Sequence, residues 1–124
     1  MLNCMIDIET TGTSPDHAGV IQISAIRFNL VEKTVDNEFF DKCLWLPPGR
    51  FWEEDTRAFW SKHPRVLQEI IGRQEEPGQV MRDLAAWVGY NGARLWAYDL
   101  RVSVAVELLQ AVRYPEPFSL PVLH

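Results

Sequence analysis

Asp7 and Glu9 stand two residues apart in Met5-Ile6-Asp7-Ile8-Glu9, and on a β-strand that spacing sends both carboxylates out of one face. Their neighbours Met5, Ile6 and Ile8 are apolar, which marks the strand as central and buried. Two ionised acids on one face of such a strand repel each other and are costly to desolvate. Cations between them relieve both costs, and hard oxygen donors of this kind suit Mg2+ or Mn2+. Thr10, Thr11 and Gly12 follow directly, and a glycine there lets the backbone come close to a ligand. An Asp-x-Glu tripeptide is common, so the competing reading is an acid pair at a strand end, solvated or paired with Arg and Lys.

The elements that must position this pair are legible from periodicity. Asn3–Glu9 reads as a strand, ended by the turn cluster Thr11–Asp16. Val20–Phe28 is apolar on both faces, as expected of a strand covered on each side. A turn at Lys33–Val35 leads to a third strand at Glu38–Leu46, which Pro47-Pro48-Gly49 ends. Helices are expected at Glu53–Ser61, with acids in its first turn, and at Pro64–Gly72, with proline at its start. Glu75–Gly78 reads as a linker. In Gln79–Gly89, Val80, Leu84, Trp87 and Val88 fall at helical spacing. Gly89–Gly92 breaks that helix, Leu95–Tyr98 is a short strand, Val102–Val112 a last helix, and Tyr114–His124 an extended tail. The order β-β-β-α-α-α-β-α predicts an α/β sandwich with a mixed sheet, its fourth strand parallel to the first.

Residues 1–124 are the size of one domain, and 47% hydrophobic residues suffice for a core. No eighteen-residue apolar run spans a membrane, and the N-terminus lacks the pattern of a secretory signal. Cys4 and Cys43 fall in expected strands and read as buried free thiols of a cytoplasmic protein. A net charge of −5 argues against non-specific coating of DNA, which needs a basic footprint. It leaves open an enzyme whose acids hold cations.

The stretch Met5–Pro15, followed by Val20–Phe28, resembles the first motif and second strand of the DEDD (RNase T-like) superfamily of 3′–5′ exonucleases. Within it, the resemblance is greatest to small phage and bacterial members. Asp55-Thr56-Arg57-Ala58-Phe59-Trp60 and Arg94-Leu95-Trp96-Ala97 are similar to two further segments of those proteins. The resemblance implies an RNase H-like fold and two-metal hydrolysis of single-stranded DNA or RNA from a 3′ end. Asp7 and Glu9 would then bind the metals, with Thr10, Thr11 and Gly12 contacting the terminal nucleotide.

The later motifs of that family depart. Counting seven beyond Trp96 for the second-motif acid lands on Ser103; Asp99 is the substitute metal ligand if the loop is shorter, and otherwise a helix cap or turn acid. The third motif, a His or Tyr followed by an aspartate, is not found: no acid follows Glu116, and His124 is the last residue. The family pattern is thus shortened at its C-terminal side. A catalytically degenerate relative that binds nucleic acid or a protein partner is the rival to an active enzyme. His17 and His63 read as surface histidines without an acid partner at a telling spacing.

Trp45, Phe51, Trp52, Phe59 and Trp60 gather between the third strand and the first helices. They are either helix core or, with Trp60 foremost, faces on which unpaired bases stack. Arg50, Arg57, Lys62, Arg65 and Arg73 are either a solvated face or phosphate contacts. Apolar residues Leu108, Leu109 and Leu120–Leu123 suggest a homodimer.

Overall fold

A computed structural model describes residues 3–14, 16–89, 94–97 and 122–123. Asp99, Ser103, the expected helix at Val102–Val112 and most of the C-terminal tail lie outside the described residues.

The meander forms as expected. β1 (Asn3–Thr10), β2 (Val20–Asn29) and β3 (Thr34–Leu44) are joined antiparallel in that order. The β2–β3 turn is tied by Asn29, whose side chain accepts the N–H groups of Val31 at 2.9 Å and Glu32 at 3.0 Å. That local bond lets β3 begin at Thr34, inside the stretch expected to be turn. Two helices follow, α1 (Glu54–Ser61) and α2 (Pro64–Gly72). Gln74–Glu75, expected in part as linker, instead forms a two-residue strand, β4, parallel to the end of β3 at Cys43 and Leu44. Two residues are too few for a periodicity to show.

α3 (Pro77–Val88) starts two residues earlier than its apolar pattern, because Glu76 caps it. The Glu76 carboxylate accepts the N–H groups of Gly78 (2.9 Å) and Gln79 (2.6 Å), and Pro77 occupies the first turn. β5 (Arg94–Ala97) returns parallel to β1, and β6 (Val122–Leu123) lies parallel beyond it. The sheet order is β4-β3-β2-β1-β5-β6. This is the expected RNase H-like mixed sheet, with the acid-bearing strand in its middle.

Each face of the sheet has its own apolar cluster. On one, Val80, Met81, Leu84 and Val88 of α3 pack on Cys4, Ile6, Ile8, Ile23 and neighbours. On the other, Trp60 of α1 and Ile70 of α2 pack on Ile21 and Cys43, flanked by Trp52 and Leu67. Both cysteines are free and buried, as expected. Burial pushes the Cys4 thiol up to about 11 against the nearby Arg27 charge, so this thiol is inert near neutrality.

Candidate active site

β1 sorts its side chains by alternation. Ile6 and Ile8 go under α3, while Asp7 and Glu9 leave the opposite face, Asp7 exposed and Glu9 half-buried. Asp7 lies across from Ser24 and Glu9 across from Gln22, and beyond Ser24 on β3 stands Asp41. Asp7 takes no hydrogen bond or ion pair from the described residues. Asp7 and Glu9 thus share one face at the centre of the sheet, and hard oxygen donors of this kind suit a divalent cation. Among the described residues no group of three or more His, Cys, Asp or Glu is gathered as a metal cage. Asp99, the expected third acid, lies outside them.

Beside the pair runs a polar network that the sequence did not signal. The Asp41 carboxylate accepts from Gln22 Nε2 at 3.0 Å and Ser24 Oγ at 3.4 Å, and it pairs with Arg73 at 3.0 Å. Arg73 also donates to the Asp41 carbonyl at 3.1 Å. Burial raises the Asp41 carboxyl, but the bonds from Gln22, Arg73 and Ser24 and the Arg73 charge outweigh it, and its pKa sits below the usual range. Arg73, read from the sequence as either a solvated residue or a phosphate contact, has its guanidinium paired with Asp41.

The segment after the acids is held down by a partner from far along the chain. The β1–β2 register shifts between Glu9 and Thr10, a bulge that sends Ile21 and Ile23, two residues apart, to opposite apolar clusters. Thr11 then exchanges backbone and side-chain bonds with Gly19 (2.9 and 2.8 Å) and donates its hydroxyl to the Phe51 carbonyl at 2.9 Å. Thr10 gives its hydroxyl to the Gly12 carbonyl at 2.7 Å. Both expected nucleotide-contacting threonines are buried, with their hydroxyls engaged inside the loop.

Glu53 closes this loop from above. Its carboxylate accepts the Ser14 N–H at 3.0 Å and the Thr13 hydroxyl at 3.4 Å, and lies 3.2 Å from His17 Nε2. Its own N–H donates to the Thr11 carbonyl at 2.8 Å. The Ser14 and Thr13 N–H groups, then the His17 charge, hold its pKa below the ordinary value. A Cβ on Gly12 would run into the Glu53 carboxylate, so any larger residue there must push that side chain aside. His17, expected as a surface histidine without an acid, is half-buried, paired with Glu53 and stacked on Phe51 at 4.5 Å with rings 1° from parallel. Glu53 lies 39 residues from Ser14, so no local spacing could have revealed it.

Of the two readings of Trp60, the structure places the ring in the core: it is 5% exposed and its Nε1–H points at the Thr10 carbonyl, 3.5 Å away. Trp45, Phe51 and Phe59 are the exposed members of the aromatic group.

No family model and no curated protein matches the chain. Solved structures of exonuclease I do. A product-bound exonuclease I superposes with a TM-score of 0.68 at 18% identity, over 90% of this chain and 24% of that one. The moderately thermophilic exonuclease I of Methylocaldum szegediense gives 0.69 at 16%, over 90% and 23%. E. coli exonuclease I in complex with a dT13 oligonucleotide gives 0.68 at 18%, over 90% and 23%. The chain spans about a quarter of the length of these proteins, and over that quarter its fold is the fold of exonuclease I.

Proposed function

We propose that residues 1–124 act as one metal-dependent exonuclease module that removes nucleotides from the 3′ end of a single strand. The observation that carries this reading is the Asp7–Glu9 pair, projecting from the middle strand of an exonuclease-like sheet onto the face that α3 does not cover. Mg2+ or Mn2+ bound there would supply an activated water and stabilise the leaving 3′ oxygen. The chain's own contribution is to fix the two carboxylates on a rigid strand and to brace the loop behind them through Glu53. Single-stranded DNA is the first substrate to test, because exonuclease I of the same fold is solved with dT13 and dA16 oligonucleotides.

The test is degradation of a 5′-labelled single-stranded oligonucleotide with Mg2+ or Mn2+. A ladder shortened from the 3′ end, abolished by EDTA and by Asp7→Ala, is the expected result. The sequence favours a second reading, a fold that binds without cutting: Ser103 stands at the place of the second-motif acid. Folded protein that binds the oligonucleotide at high concentration yet leaves it intact would favour that reading instead.

A further inference from the structure

We infer that Phe51, rather than the buried Trp60, is the platform on which a base of the single strand stacks; this rests on the nucleic-acid reading above. Phe51 is 54% exposed, so its ring is open to a ligand, and base–aromatic stacking needs such an accessible ring. The ring is not loose. Its backbone N–H donates to the His17 carbonyl at 2.9 Å, and its carbonyl accepts the Thr11 hydroxyl at 2.9 Å. One face of the ring lies flat on the His17 imidazole, which Glu53 holds from the side. More than half of the residue stays exposed beside that stack, and the residue it is bonded to, Thr11, is two positions beyond Glu9.

The other exposed aromatics are less suited. Phe59 has its ring taken up by contacts with Trp60 at 5.5 Å and His63 at 4.9 Å. Trp45 lies just past the end of β3, in the stretch that bonds to β4 rather than to the loop behind the acids. Of the three, Phe51 combines exposure with a parallel stacked ring beneath it and a bonded link to that loop. Every base has a π-face, so such a platform favours unpaired nucleotides without selecting a sequence. A duplex, whose bases already stack on each other, gains nothing from it.

The test measures binding of a fluorescent oligothymidylate to the intact protein in EDTA, where no cutting occurs, for the native chain, Phe51→Leu and Phe51→Trp. Leucine keeps the apolar bulk without the π-face, and tryptophan enlarges it. The expected result is about 5- to 150-fold weaker binding for F51L, the range of a lost base stack. F51W should bind at least as tightly as native, and an abasic oligomer of equal length should not distinguish the three proteins. Native-like binding by F51L would overturn the platform while leaving the nuclease reading intact. An equal loss of abasic-oligomer binding in F51L would also overturn it, by showing a general loop defect. A native protein that binds no single strand would bring down the nucleic-acid reading and the platform with it.

Discussion

The two faces of this sheet are made by the same strands and have opposite fates. Under α3, Ile6, Ile8, Ile23, Ala25 and Leu84 are sealed in a continuous apolar layer. The other face changes character along its length. At one end α1 and α2 cover Ile21 and Cys43; in the middle stand Asp7, Glu9 and the Asp41–Arg73 network; at the far end Ile26, Val35 and Phe39 are exposed. There Met5, Ile26, Phe28, Leu30 and Val35 line a cavity of about 370 Å3. One face is committed to stability and the other is graded from packed to open, with the acids at the boundary. Two carboxylates are tolerable there because they sit at the edge of the covered region, where water or a cation can reach them.

The sharpest break of the comparison is on β1 itself. Asp7→Ala should lower metal-dependent turnover on the order of 10³-fold or more, because paired metal ligands act as a unit. It should leave the metal-free unfolding free energy nearly unchanged. Mn2+ at about 100 times its dissociation constant should stabilise the native protein by about 2.7 kcal/mol and leave D7A unmoved. A D7A protein that is still stabilised by Mn2+ would place the cation elsewhere.

On the sealed face the expectation reverses. Leu84, 1% exposed in the α3 layer, should cost about 2–5 kcal/mol when cut to alanine, the usual range for a buried leucine. Urea denaturation reads it, and Mn2+ affinity should not change. A metal affinity that falls with stability would show that the two faces are coupled through β1.

How much of this the sequence carried follows from the range of the interactions. The acid pair, each strand of the meander, the short strand expected at Leu95–Tyr98 and found at Arg94–Ala97, and the apolar stripe of α3 are local patterns of a dozen residues or fewer, and they were readable; the parallel return of that last strand followed from the helical crossover before it. The sequence was silent where partners are distant. Glu53 on Ser14, Arg73 on Asp41 and β4 on β3 join residues more than 25 positions apart. The chemical type of Glu53 misled in a second way: an acid just before a helix reads as an ordinary N-terminal charge, yet its side chain makes no bond to its own helix. Trp60 and Phe51 show the same limit, since exposure of an aromatic is decided by which loop closes over it.

The Glu53 clamp tests whether the boundary between the faces is rigid. Gly12→Ala should displace the Glu53 side chain and cost less stability than Leu84→Ala, because the obstructed group is the end of a flexible chain. Combined with Glu53→Gln it should cost little more than alone. The carboxyls of Glu53, Glu76 and Asp41 all titrate below their ordinary values, 4.5 for the two glutamates and 3.8 for the aspartate. A depressed folded pKa means that the unfolded chain binds protons first. The stability they contribute is therefore complete above about pH 4.5 and is lost as pH falls through the lower folded values. Acid unfolding of G12A should show a shallower slope in that window than native protein, and an identical slope would mean that Glu53 keeps its bonds.

The smallest effect is expected at the open end of the acid face. Phe39 is 67% exposed and lies across from the half-open Ile26. Phe39→Ser should move the unfolding free energy by no more than about 0.5 kcal/mol, as surface substitutions do. Ile23→Ala, three residues from Ile26 on the same strand but in the α3 layer, should cost about 2–5 kcal/mol. Measured together, the two variants set the contrast between the sealed face and the open end of the acid face. A Phe39 cost comparable to that of Ile23 would mean that in solution something covers this end of the face, and a concentration-dependent midpoint for native protein would identify that cover as a second copy of the chain.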